Sequence, residues 1–267
     1  MQSGYYDVTG GMVTQFNRLD VISNNLANLN TTAFKRDDVV IGDFKRIFQN
    51  TQDNMPINNN TKEAAKFLNS SIDRVPRVTE QYINFEQGSL KSTGNSLDFA
   101  LKSKDAFFMV ETPNGIRLTQ NGSFTLNGDG ILTTKEGYPV LPQKYFQNSQ
   151  YIKVPKNKSL VSDKSGKLYS DGNSIAKFYI ATTDDMKSLQ KDGDGFYKFP
   201  NIQNIIPSSK KDVVAQGFLE TSNVNPVYEM VDLIDTNRLV EMYQKVMNSH
   251  MNDLNSDAIN KLASIRA

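Results

Sequence analysis

Both ends of this chain repeat apolar residues at intervals of three and four, and the middle does not. Near the N-terminus the repeat runs through Tyr5, Val8, Met12, Leu19, Ile22, Leu26 and Leu29, with one lapse at Gln15 beside Phe16. That spacing makes a narrow apolar stripe on a long helix, as in a coiled-coil seam. It predicts a helix from about Tyr5 to Asn30, about 40 Å long at the usual rise per residue. Gly10 and Gly11 lie inside it, each less favourable than alanine by ~1 kcal/mol. The helix is therefore weak alone and needs a partner.

The C-terminal end mirrors this pattern. Asn225 is a capping residue, Pro226 suits the first helical position, and Glu229 complements the helix dipole. Met230, Leu233, Val240, Met247, Met251, Leu254 and Ala258 follow at the same spacing, with Asn237 and Gln244 polar on that seam. A second set, Val231, Ile234, Met242 and Val246, widens the apolar face. This helix would reach about 55 Å and carries more apolar surface than one partner helix covers.

Between the helices the period shortens. Residues 50–60 form a polar, asparagine-rich tract that reads as a loop or linker. From Ser96 to Val213, short β-rich runs such as Ala106–Thr112 alternate with turn signals. Pro113-Asn114-Gly115, Gln120-Asn121-Gly122 and Asn127-Gly128-Asp129-Gly130 are each good hairpin chemistry. The expected class is α+β: long terminal helices pairing as a coiled-coil layer, with an all-β domain inserted. The expected segments are an N-terminal helix (1–36), an extended connector (37–85), a β domain (86–213) and a C-terminal helix (214–267).

Composition narrows the function. The 267 residues carry 30 basic and 29 acidic side chains, which argues against a nucleic-acid or anionic-membrane partner. Cysteine is absent, so disulfides and thiolate metal sites are excluded. The N-terminus has neither the basic nor the apolar region of a cleavable signal. No apolar run approaches the ~18 residues of a transmembrane span. The composition reads as a soluble chain, cytosolic unless exported by a route that uses no cleavable signal. His250 is the only histidine, on a predicted helix, so no triad or histidine metal site is expected. Asp192–Gly195, "DGDG", lacks the alternating ligands of a calcium loop and reads as a turn. No catalytic, cofactor-binding or metal-ligating residues are expected.

The stretch Leu19–Arg36, "LDVISNNLANLNTTAFKR", resembles the N-terminal motif of the bacterial flagellar axial proteins, which build rod and hook. The family pattern is close to L-D-V-x-[SA]-N-N-[LI]-A-N-x-N-T-x-G-[FY]-K-R. Ala33 stands where that pattern has glycine, which questions the left-handed turn there. Two further blocks are similar to the same subunits: residues 95–141, and "GFLETSNVNPVYEMVDLI" from Gly217. Roughly residues 40–85 and 145–210 are unmatched.

Chain length leaves the two rod types that carry one β domain. The distal type has a G-[LV]-x-x-G-x-G-V segment before that domain; residues 70–80 read "SSIDRVPRVTE" instead, which favours the proximal type. The distal type is the alternative, and a secreted module binding cell-wall polymer is an alternative of another class.

The resemblance implies a non-enzymatic subunit that polymerises helically into a hollow periplasmic shaft. Such a shaft carries torque from rotor to hook and passes exported subunits. The terminal helices would form the inner coiled-coil layer and the β domain the outer. Partners would be copies of itself and other rod subunits, with hook-side subunits, surrounding rings and the flagellar export apparatus also possible. Neither nucleic acid nor direct membrane insertion is expected. The location would be the basal body, reached without a cleavable signal.

The assembly surface would include Met12, Leu19, Ile22, Asn24, Asn25, Leu26, Asn28, Leu29, Asn30 and Phe34. From the C-terminal helix it would include Met230, Leu233, Val240, Met247, Met251 and Leu254. Amides suit such a surface because they donate and accept hydrogen bonds without the desolvation cost of charge. The ends are expected to be largely unfolded in free monomer and to fold on assembly.

Overall fold

A computed structural model describes residues 2–43, 76–155, 158–183, 185–199, 206–208 and 212–264. The asparagine-rich tract 50–60 and the side chains of Tyr5, Leu254 and Ala258 lie outside the described residues. The described α-helices are α1 (Gln2–Ala27), α2 (Tyr145–Asn148) and α3 (Pro226–Ser264). The chain divides into two compact units. One holds residues 1–27, 37–82 and 225–267, and the other 28–36 and 83–224. The partition thus cuts the expected N-terminal segment after Ala27 and groups residues 37–82 with the helices.

In the helical unit α1 packs against α3. Gly11 abuts Tyr243, Arg18 reaches Asp232 at 3.6 Å, and Asn25 reaches Glu229 at 3.3 Å. Numbers rise along one helix as they fall along the other, so the two run antiparallel. α3 has 39 residues against 26 in α1 and outlasts its partner. Gly11 has a steric reason to be glycine: a Cβ there would lie 2.6 Å from the Tyr243 ring. The residue that weakens the helix in isolation is the one that admits the ring of its partner. Strands β1 (Asp37–Asp43) and β2 (Pro76–Ile83) pair with each other, and β1 packs on α1.

The buried face of α1 is Gly11, Thr14, Gln15, Ile22 and Asn25. Met12, Leu19 and Leu26 of the expected stripe flank it, half-buried. Thr14 is buried because β2 covers it: its Oγ1 lies 2.7 Å from Pro76 O and 2.9 Å from Gly10 O. The α3 helix begins as expected. The Asn225 side-chain oxygen accepts Val227 N–H at 3.0 Å, with Pro226 first in the helix. Its buried residues are Glu229, Thr236 and Val240, with Leu233, Tyr243 and Met247 half-buried on the same side.

In the second unit the chain is β-rich. A six-stranded sheet runs in the order Gln190–Lys191, Phe196–Lys198, Gly115–Thr119, Ala106–Thr112, Ile180–Thr182, Ile206–Pro207. A three-stranded sheet orders Asn173–Lys177, Lys167–Ser170 and Leu160–Ser162. Phe99–Leu101 pairs with Val214–Gln216, and Leu90–Ser92 with Phe218–Glu220.

The run "AFFMV" explains the core. Its strand is covered on both faces, so alternate residues enter two clusters: Ala106, Phe108 and Val110 one, Phe107 and Met109 the other. A continuous apolar run is the sequence sign of such a strand. Phe108 meets Phe124 and Phe178 edge-on with centroids 5.1 and 5.2 Å apart, and Phe99 meets Phe178 at 5.1 Å. Such pairs add about 0.5–1.5 kcal/mol each beyond burial.

Pro113-Asn114 and Asn127–Gly130 make the expected hairpins. Gln120–Gly122 does not: the strand before it belongs to the six-stranded sheet, and Phe124–Leu126 pairs with Leu132–Thr134. Turn chemistry specifies a change of direction but not the pairing partner. Gly193–Gly195 is the turn between two strands of the large sheet, and the Asp192 carboxylate accepts from Arg117 Nε.

Candidate assembly surfaces

The motif residues after α1 turn inward, and Ala33 is the first of them. It adopts φ of 55° and is buried, and its N–H donates to Glu220 O at 2.8 Å. The left-handed turn is therefore made by alanine, at a strain of roughly 1–2 kcal/mol. Beyond it, Lys35 is fully buried, and its Nζ donates to Glu220 Oε1 at 2.6 Å and to Glu86 O at 3.0 Å. Burial pushes the Lys35 pKa below its ordinary value, while attraction and hydrogen bonding to Glu220 pull it back up. The same Glu220 oxygen accepts Gly88 N–H at 2.8 Å. Gly88 must be glycine, since a Cβ would lie 2.1 Å from Thr221 O.

Asn223 completes this clasp. Its side-chain oxygen accepts Arg36 N–H at 2.8 Å, and its Nδ2 donates to Asn84 O and Glu86 O at 2.8 and 2.9 Å. Phe34 is half-buried under Lys191, whose Nζ lies 4.2 Å from its ring centroid and donates to Lys35 O. Lys35, Glu220 and Asn223 were not among the expected interface residues. The blocks "AFKR" and "FLETSNVN" marked the neighbourhood, but not that one block closes on the other.

The asparagines of α1 divide by environment. Asn25 is buried within the protomer: its oxygen accepts Asp37 N–H at 3.0 Å, and its Nδ2 donates to Asp37 O at 2.9 Å and to Glu229 Oε2. One side chain satisfies the whole backbone of Asp37 and holds a buried carboxylate. Its amide is thus used inside the chain rather than kept for a neighbouring subunit. Asn28 closes the end of the helix, its carbonyl oxygen accepting Thr31 N–H at 3.2 Å and its side-chain oxygen Thr31 Oγ1 at 3.0 Å. Asn24 and Asn30 are exposed, and Leu29 is half-buried.

α3 carries a second apolar stripe. Val227, Val231, Ile234, Met242 and Val246 recur at helical intervals, with Arg238 between them, and lie about half a turn from Glu229, Thr236 and Val240. Val227 is 63% exposed, Ile234 52% and Met242 53%. Met230 and Met251, expected on the inner seam, are also exposed. Met230 lies about 100° around the helix from Glu229, off the buried side, whereas Met251 is on that side but opposite the start of α1, where the partner helix runs out. On α1, Val13 and Phe16 are exposed. Two stripes on opposite sides are what a helix carries when it has partners on both.

Three family models match in chain order. "Flagella basal body rod protein" covers residues 8–35, "Flagellar hook protein FlgE/F/G D1 domain" 103–173, and "Flagellar basal body rod FlgEFG protein C-terminal" 215–260. A flagellar basal-body rod protein FlgF of Caulobacter vibrioides is 31% identical over 99% of this chain and 100% of its own length. The chain belongs to the flagellar basal-body rod protein family. Other relatives of this rod protein include FlgF of Mesorhizobium japonicum, 30% identical over 90% of each chain. FlgG of Buchnera aphidicola subsp. Schizaphis graminum is 30% identical over 90% of this chain and 92% of its own. The rod-protein match ends at Lys35 and the C-terminal match begins at Ala215, so the clasp takes Lys35 from one and Glu220 from the other.

Proposed function

We propose that this chain, a structural flagellar rod subunit rather than an enzyme, is of the proximal type. It polymerises helically into the hollow periplasmic shaft that carries torque from rotor to hook and passes exported subunits. Its neighbours are copies of itself and other rod subunits. The observation that carries the assembly reading is the outward stripe of α3, apolar and uncovered among the described residues. Each such side chain gains roughly 1.5–3 kcal/mol when buried, so a few per subunit suffice for cooperative stacking. The excess length of α3 over α1 supports the same reading, since it offers a neighbouring copy a bare helical surface. Exposed Asn24, Asn30, Met230 and Met251 join this surface in the proposal; Asn25 serves the fold. The proximal type rests on the sequence before the β domain, where the glycine-rich segment of the distal type is missing.

The test is the double variant Ile234→Asp/Met242→Asp. Its monomer should melt within about 0.5 kcal/mol of the parent, as surface changes do, while a strain carrying it forms no rod and does not swim. Swimming cells with normal basal bodies would defeat the reading. Labelled basal bodies should show the subunit at the rotor end; a position beside the hook would reassign it to the distal type.

A further inference from the structure

The β-rich unit has a groove of about 400 Å³ that the assembly reading does not use. Its floor is the strand Asn173–Lys177, an outer strand of the three-stranded sheet. From Asn173 to Ala176 no strand lies beyond it among the described residues, and only Lys177 O is taken, by Gln143 N–H at 2.8 Å. Lys144, Lys167 and Lys177 line the groove, and no carboxylate does. None of the three ammonium groups forms an ion pair among the described residues; Lys167 overlies the Tyr169 ring at 5.3 Å and its charge is felt by the Asp163 carboxylate, which does not line the groove.

One wall is fixed. Tyr151 donates its hydroxyl to Glu111 Oε2 at 2.7 Å, and Tyr145 donates to the same oxygen at 2.9 Å. Asn148 Nδ2 donates to Gln150 Oε1 at 3.2 Å, bracing the rim. The groove is thus positive, walled by a held aromatic ring, and floored by a sheet edge with unpaired backbone groups. Exposed edges normally carry lysine to repel other strands. Here lysines surround a concavity, and a strand that brings carboxylates is the one they admit.

We propose that this groove takes an extended acidic segment of a partner protein. The segment adds as a strand along Asn173–Ala176, with its carboxylates on Lys144, Lys167 and Lys177. Backbone pairing supplies affinity and the lysines select for charge. The free edge favours a peptide over an anionic glycan, which cannot form a strand ladder. This inference is independent of the rod-type assignment.

The experiment titrates full-length protein with the fluorescent decapeptide (Glu-Thr)5 in low salt. Saturable binding is expected, weakened at least tenfold by Lys144→Glu/Lys177→Glu, with unchanged circular dichroism. N-methylation of alternate peptide amides keeps the charge and blocks the ladder, and should also weaken binding at least tenfold. No binding of the parent peptide, or equal binding by the charge-reversed protein, overturns the proposal. Equal binding of the N-methylated peptide overturns strand addition, and tighter binding of a hyaluronate decasaccharide overturns the choice of a peptide. None of these outcomes bears on swimming or rod assembly.

Discussion

The two units bury their residues in opposite ways. In the β-rich unit, Phe99, Phe107, Phe108, Phe124 and Phe178 are sealed from solvent, and Lys35 with Glu220 is buried only because each charge is paired. In the helical unit the buried apolar residues among those described are Ile22 and Val240. Buried oxygens without a hydrogen-bond partner occur in both units, Gln15 Oε1 and Thr236 Oγ1 here and Gln120 Oε1 and Ser170 Oγ in the β-rich unit, so the contrast lies in the apolar surface. Meanwhile α3 displays valine, isoleucine and methionine to water. One unit is finished as a monomer. The other leaves an apolar stripe of α3 uncovered among the described residues, the surface that the proposed assembly would cover.

Four changes break or sharpen that contrast, in order of expected effect. Lys35→Met leaves the Glu220 carboxylate buried and unpaired, so chemical denaturation should show a loss of about 3–5 kcal/mol. Adding Glu220→Gln should restore much of it, since the amide oxygen still accepts Gly88 N–H. Gly11→Leu meets the Tyr243 ring and should destabilise the helical unit by about 1–3 kcal/mol. Differential hydrogen exchange on assembled rods should place that loss in α1 and α3, leaving Ala106–Thr112 as slow as before.

The third change concerns pH. Hydrogen bonding to Glu111 raises the Tyr151 pKa to about 12 and raises that of Tyr145, with burial adding in the same direction. A raised acid keeps its proton in the folded chain, so its stabilisation is whole below the ordinary value near 10. It is lost as pH climbs from there through about 12. Ultraviolet titration should resolve a late tyrosine, and Glu111→Gln should return it toward about 10. The smallest effect is Ala33→Gly. Relief of the left-handed strain and loss of a buried methyl, each about 1 kcal/mol, oppose one another, and the midpoint should move by less than about 0.5 kcal/mol.

Local chemistry was legible in the sequence. The Asn225-Pro226 start, the buried "AFFMV" strand and the Pro113-Asn114 hairpin follow from rules acting over a few residues. The surplus apolar face of α3 was also visible from periodicity. What the sequence concealed depends on partners far along the chain. Asn25 serves Asp37 and Glu229, 12 and 204 positions away, and Lys35 finds Glu220 at a separation of 185. An amide reads alike whether it will meet its own chain or another. Of the apolar stripe on α1, Ile22 is buried and Met12, Leu19 and Leu26 are half-buried; apolar spacing does not register Gly11 and Thr14, which are buried beside them against Tyr243 and β2. The connector hid its packing because Thr14 is polar in sequence and buried only by β2.

The central claim is that the helical unit is completed by neighbouring subunits while the β-rich unit is complete alone. Hydrogen exchange followed by mass spectrometry, on dilute monomer and on assembled rods, tests it directly. In monomer, amides of Ala106–Thr112 should exchange slowly and those of α1 and α3 fast, and assembly should slow α1 and α3 by at least a hundredfold. Helices protected in dilute monomer as strongly as that strand, with no further protection in the rod, would contradict the account.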